Sequence, residues 1–511
     1  MQAHLQLGVF VVGLAPLFAQ AVHYELRVAD PATRQAEVHA TFPTAGSAEL
    51  VLFLPTWSPG YYVRQDHAAQ VLTFSASADG KELAVDKPSP NRWRMPTGGA
   101  ASITVTYTLR CQRGSVTENQ ITADFAVFCG PATFVGEVGR LDRPITLAVS
   151  APAMWPDVAT GLPRGKDGLW TARDHDLLLD SPLVLGKVAT TAFDVHGVRH
   201  EWAQVGDHGN FATAALVPTL AHTCEQVCAA FGDVPFARYA FLATFRRANG
   251  GLEHLDSTLV SMHAKQRHDD PGTLSFLAHE YTHAFNVKRL RPAGLGPFDY
   301  ENPPRTPSLW VSEGLTTWLG DLALVRAGAI DRTAWLGLVS EHVRGLQGAA
   351  GRKRQTLADA SLAVWDTSTS GVGGDPRTTI SYYVKGPVVG FVLEARLRSA
   401  SGGKHGLDEL MRRAYGRWSG AMGFTPAEFE ALATEVAGTD LRPFFDLALR
   451  STEELDYREA LDWFGLEFTP VAEDAPRAQR WALRPRAGAA PDAAARLGAL
   501  LAPLPAPTKP R

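Results

Sequence analysis

The sequence predicts a multi-domain α+β protein, with an all-β N-terminal domain, a mixed α+β domain and a C-terminal helical domain. Three observations carry this reading. The chain has 511 residues, more than one hydrophobic core usually organises. In its first third, apolar and polar residues alternate, as in Ile103, Val105, Tyr107 and Leu109 against Thr104, Thr106 and Thr108. Further on, apolar positions recur at helical spacing, and Thr425-Pro426-Ala427-Glu428 forms a helix-start capping box.

Residues 1–21 read as a secretory signal peptide. An apolar run over 5–18 is followed by Ala19-Gln20-Ala21, a small-x-small cleavage site. No Lys or Arg precedes the run, a pattern that also suits an uncleaved anchor or a buried first strand. No later stretch is apolar for long enough to span a bilayer, so no stable membrane insertion is expected after cleavage. The hydrophobic content of 45% and charged content of 20% are those of an ordinary globular protein. A net charge of −4, with no arginine-rich stripe, argues against nucleic-acid binding.

Residues 22–189 form the expected β domain. Asp79-Gly80 is a two-residue hairpin signal between short alternating segments. Pro55-Thr56-Trp57-Ser58-Pro59-Gly60-Tyr61-Tyr62 is a rigid turn with aromatics that either pack between domains, the favoured reading, or line a cleft. Cys111 and Cys129 flank an extended segment and either pair or remain buried thiols, whereas Cys224 and Cys228, four apart on an expected helix, read as buried thiols.

Residues 190–330 carry the chemistry. A helix is expected over 211–231, stopped by Gly232, and then a strand over 239–245 that delivers Gly250-Gly251-Leu252-Glu253-His254. Taken alone, that pentapeptide reads as a hairpin turn with a solvated acid. Placed upstream of the next motif, its two glycines let backbone approach a ligand closely, and Glu253 can hold a peptide's α-ammonium. The motif is His279-Glu280-Tyr281-Thr282-His283, two imidazoles four apart on one face of a largely apolar helix, spaced to grip one Zn2+ ion. Glu280 projects beside them as a general base for water activated at the metal. A second apolar helix, over 308–319, bears a single acid, Glu313, which is the expected third ligand.

Residues 331–468 are expected to be helical. They contain a glycine-rich loop over 367–376 with no phosphate-binding pattern, and then Ser381-Tyr382-Tyr383-Val384-Lys385-Gly386. A phenol beside the metal can donate to the oxyanion of peptide hydrolysis, and the residues alone leave Tyr382 and Tyr383 both open. Residues 469–511 form an Ala-, Pro- and Arg-rich tail.

The stretch from His279 through Asn286-Val287-Lys288-Arg289 to Pro292, with Gly296-Pro297-Phe298-Asp299-Tyr300 and Leu309-Trp310-Val311-Ser312-Glu313-Gly314, resembles the glycyl aminopeptidase family of PDZ-associated bacterial metallopeptidases. That family belongs to the thermolysin-like gluzincins. The resemblance implies a thermolysin-like zinc catalytic domain over 190–330, completed by the helical domain, and a periplasmic aminopeptidase that releases small residues such as Gly or Ala from peptides. It assigns amine binding to Glu253, with Gly250 and Gly251 in the same loop, and oxyanion stabilisation to Tyr383. The 42 residues from Pro470 to Arg511 are expected to be too short for the PDZ domain that family members usually carry. The rival readings are a zinc endopeptidase on the same site and a non-catalytic secreted peptide-binding protein.

Overall fold

The structure, a computed structural model, describes residues 21–246, 249–367, 374–472, 476 and 479–507. Residues 1–20, on which the expected signal peptide falls, and residues 368–373 of the glycine-rich loop lie outside the described residues.

The N-terminal region is built from three sheets. The largest has seven strands, ordered Trp170–Ala172, Ile145–Ser150, Val22–Arg27, Gln35–Pro43, Ser102–Arg110, Val71–Ala78 and Lys81–Leu83. The alternation in Ser102–Arg110 sends Ile103, Val105, Tyr107 and Leu109 into the core, fully buried. Each such side chain contributes roughly 1.5–3 kcal/mol of burial free energy. The expected hairpin is present, with Ala78 paired to Lys81 and both Asp79 and Gly80 at positive φ, as a type I′ turn requires. Cys111 and Cys129 are not paired. The first packs in the main β core and the second against the central sheet, and burial pushes both thiols up to about 12.

The central sheet is ordered Ala189–Val195, Val198–Gly206, Tyr239–Phe245, Ser257–Met262 and Gly250–Glu253. Its three middle strands run parallel, and Tyr239–Phe245 is buried at every residue because both sheet faces are covered. Helix Thr213–Phe231 makes the crossover between two of these strands and ends at Gly232, which adopts φ +74°. The edge strand Gly250–Glu253 pairs antiparallel with Ser257–Met262 and carries Glu253 at its end.

One apolar core runs from this sheet through the helices, joining Trp202, Phe241, Tyr281, Trp318, Phe391 and Leu500. The capping box is formed as read, with Thr425 and Glu428 bonded reciprocally at the start of helix Pro426–Ala437. The tail packs onto this core. Strand Leu483–Pro485 pairs with Leu466–Phe468, and helix Pro491–Leu501 buries Ala493, Leu497 and Leu500 on one face. The Leu500 carbonyl accepts from Arg326 Nε at 3.0 Å.

Arg326 also forms a buried two-point pair with Asp408, at 2.9 and 2.8 Å. Asp408→Asn leaves the guanidinium buried without its counter-charge, and a loss of about 3–5 kcal/mol is expected. Urea unfolding checks it, through a lower midpoint with an unchanged slope.

Candidate metal centre

Helix Pro271–Thr282 starts at Asp270, whose side chain accepts from Thr273 N at 2.9 Å, with Pro271 at its first position. Its last turn brings His279 and His283 together, with Nε2 atoms 2.8 Å apart and rings nearly perpendicular. The other ring nitrogens are held. His283 Nδ1 donates to the Asn286 carbonyl at 3.0 Å. Thr317 Oγ1 already donates to the Glu313 carbonyl at 3.1 Å, so it accepts from His279 Nδ1 at 3.0 Å. With the proton on Nδ1, each imidazole in its neutral form presents an Nε2 lone pair to the same point.

Glu313 meets them there, its Oε2 lying 3.1 Å from His283 Nε2 and 3.5 Å from His279 Nε2. It is almost wholly buried, and neither carboxylate oxygen has a donor aligned on it. Among the described residues this is the only group of three potential ligands converging on one point. With Glu253 and Glu280 alongside, three buried carboxylates face two imidazoles, an arrangement that demands positive charge. Burial alone would lower His283, yet Glu313 and Glu253 hold it up at about 10. Burial would raise Glu313, but His283 and His279 bring it down to about 2. Two imidazoles, one carboxylate and their held outer nitrogens fit a divalent ion of the zinc type.

The segment carrying Glu313 differs from the expected regular helix. Trp310–Leu315 is a π-helical turn that runs into helix Thr316–Arg326. Its cause is tertiary. Gly314 lies against Gly386 so closely that neither has room for a Cβ, which brings helix Tyr382–Ala400 beside the ligands. Asn286 ties the two halves of the site together, donating to the Val311 carbonyl at 2.7 Å and Thr316 Oγ1 at 2.9 Å.

The other candidate residues line one cleft of about 520 Å³. Glu280 fills the space above Gly251, where a Cβ would collide with its carboxylate, and accepts a long bond from Thr258 Oγ1 at 3.4 Å. Burial, reinforced by Glu253 and Glu313 and opposed by His283, pushes its carboxyl up to about 8. Glu253 is buried, has no partner on Oε1, and is raised to about 7, first by burial. Gly250 and Gly251 line the cleft beside it.

Tyr383 faces the cleft, its ring 6.0 Å from that of His279. Tyr382 is buried and packs edge-on against Tyr62. The turn at Pro55 to Tyr62 takes both of its readings. Trp57 packs between Phe298 and Trp365 and donates to the Asp299 carbonyl at 2.7 Å, while Gly60, Tyr61 and Tyr62 form a cleft wall. Gly60 sits so close to Glu253, at φ +92°, that only glycine fits. Thr258, Asn286 and Thr317 support the site without having been assigned roles from sequence. The Asn-Val-Lys-Arg extension of the motif was the available signal for Asn286.

Two family profiles match in tandem, the Peptidase M61 N-terminal domain over residues 23–187 and the M61 glycyl aminopeptidase over residues 272–389. The chain belongs to the M61 peptidase family. Both profiles fall on regions that build the cleft, so M61 membership accounts for the N-terminal wall as well as the metal helix. A solved aminopeptidase N family protein from Idiomarina loihiensis is 28% identical, with a TM-score of 0.82 over 87% of this chain and 78% of that one. An M1 zinc metallopeptidase from Deinococcus radiodurans is 12% identical, with a TM-score of 0.56 over 86% of this chain and 95% of that one. A variant of that enzyme, solved with a Tyr-Ser-Ala substrate, gives 13% and 0.55 over 86% and 94%. At those identities the M1 likeness concerns the fold alone. No curated protein matches the chain. This M61 protein is a metallopeptidase, and peptides are its substrates. Among the described residues, no helix is long and apolar enough to cross a membrane.

Proposed function

We propose that the protein is a zinc aminopeptidase that releases small N-terminal residues, Gly or Ala, from peptides. One observation carries this reading: the buried Glu253 carboxylate, its Oε1 without a partner, lines the same cleft as His279 and His283 of the three-residue cluster, with Gly60, Tyr61 and Tyr62 in the cleft wall. A carboxylate so placed is suited to the α-ammonium of a peptide whose first carbonyl lies at the ligands. Held by His279, His283 and Glu313, zinc supplies Lewis-acid polarisation of water and of the scissile carbonyl.

The chain's own side chains do the rest. In its ionised form Glu280 takes a proton from the attacking water and passes it to the departing amine as the C–N bond breaks. Tyr383 donates its phenolic proton in a hydrogen bond to the carbonyl oxygen as negative charge builds there. The leader-like residues 1–21 support export to the periplasm.

Metal analysis and metal removal test this assignment. Purified protein is expected to hold one zinc per chain, and Glu313→Gln to hold much less. A chelator should abolish hydrolysis of glycyl p-nitroanilide, and one equivalent of zinc should restore it. Ligation should also stabilise the fold by about 2.7 kcal/mol at a hundredfold excess of free zinc over Kd, read as a raised melting temperature. Full activity in metal-free protein would sink the proposal.

A further inference from the structure

Asp180 belongs to the N-terminal domain, where it caps the short helix His175–Leu179. Its carboxylate nevertheless reaches the catalytic region and accepts three bonds there. Oδ1 takes Lys288 Nζ at 2.6 Å and His254 Nδ1 at 3.1 Å, and Oδ2 takes Leu255 N at 2.8 Å. Two of these donors directly follow Glu253 in sequence. The third lies five residues beyond His283, and Lys288 N bonds the His283 carbonyl at 3.1 Å. All three side chains are largely buried.

The chain is strained where it turns to make this link. Val287, β-branched and buried, adopts φ +128°, a conformation such residues rarely accept. Strain of this kind persists only where surrounding contacts impose it, and here the contacts are the Asn286 amide on one side and the Lys288–Asp180 ion pair on the other. Burial alone would raise Asp180, yet Lys288 and His254 hold it down at about 2, so it is anionic at neutral pH.

We infer that Asp180 is a positioning residue for the substrate's α-amine. It pins the segment after Glu253 to the segment after His283, and so sets how far the amine-binding carboxylate stands from the metal ligands. The N-terminal domain is thereby a working part of the active site. The inference rests on Glu253 binding the amine.

Because all three partners are donors, Asp180→Asn turns an NH2 toward at least one of them and releases the link. The test is a double-mutant cycle on glycyl p-nitroanilide, with zinc content and melting temperature measured for every variant. Asp180→Asn is expected to lower kcat/KM by about 10- to 100-fold, chiefly through KM, with zinc retained. In a Glu253→Ala background the same change should cost less than about twofold, because the carboxylate it positions is gone.

Where Asp180→Asn folds poorly because Lys288 is left unpaired, Asp180→Asn with Lys288→Met removes the buried charges together and enters the cycle in its place. Equal losses in both backgrounds overturn the link between Asp180 and Glu253 while leaving the amine-binding reading intact. An unchanged preference of Glu253→Ala for free-amine over N-acetylated substrate overturns that reading, and this inference with it.

Discussion

Glu280→Gln is expected to lower kcat by about 10²–10⁴ while the protein keeps its zinc. The amide matches the carboxylate in shape, so the fit above Gly251 and the bond from Thr258 survive. What it loses is the ability to accept a proton from water and return it to the leaving amine. Glu280 is not among the converging ligands, so metal content should equal that of wild type. Steady-state kinetics beside metal analysis check both halves. A variant keeping more than a tenth of wild-type kcat would remove Glu280 from the proton path.

Tyr383→Phe has the next largest expected effect, a loss of about 10²–10³ in kcat with KM little changed, because its hydroxyl acts on charge present only in the transition state. The neighbouring substitution is the control. Tyr382 packs edge-on against Tyr62 and is not among the residues lining the cleft, so Tyr382→Phe should stay within about threefold of wild type. Equal losses at both positions would mean that the aromatic packing, rather than the Tyr383 hydroxyl, is what matters.

The features legible in the sequence were those set by local rules. The Asp79-Gly80 hairpin, the buried face of Ser102–Arg110, the Thr425 capping box and the convergence of His279 with His283 each follow from spacing within a few residues. The choice between Tyr382 and Tyr383 was not legible from the residues alone. Adjacent helical positions point about 100° apart, and only the packing of their helix against Gly314 decides which one meets the cleft. The π-helical turn at Glu313 has the same origin. Asp180 is more distant still, lying 74 residues from His254 and 108 from Lys288, so no local pattern could have paired them. The tail helix was obscured by composition. Its alanines and prolines mask the helical spacing of Ala493, Leu497 and Leu500.

As an aminopeptidase, the proposed activity, this metal site works on free N-termini. The most direct test is the ratio of kcat/KM for glycyl p-nitroanilide to that for its N-acetylated form, measured on wild type and on Glu253→Ala. Loss of a buried charge pairing typically costs 2–5 kcal/mol, so wild type should favour the free amine by more than about 30-fold, and Glu253→Ala should bring the ratio close to one. Equal cleavage of the two substrates by wild type would contradict the account and make the site that of an endopeptidase.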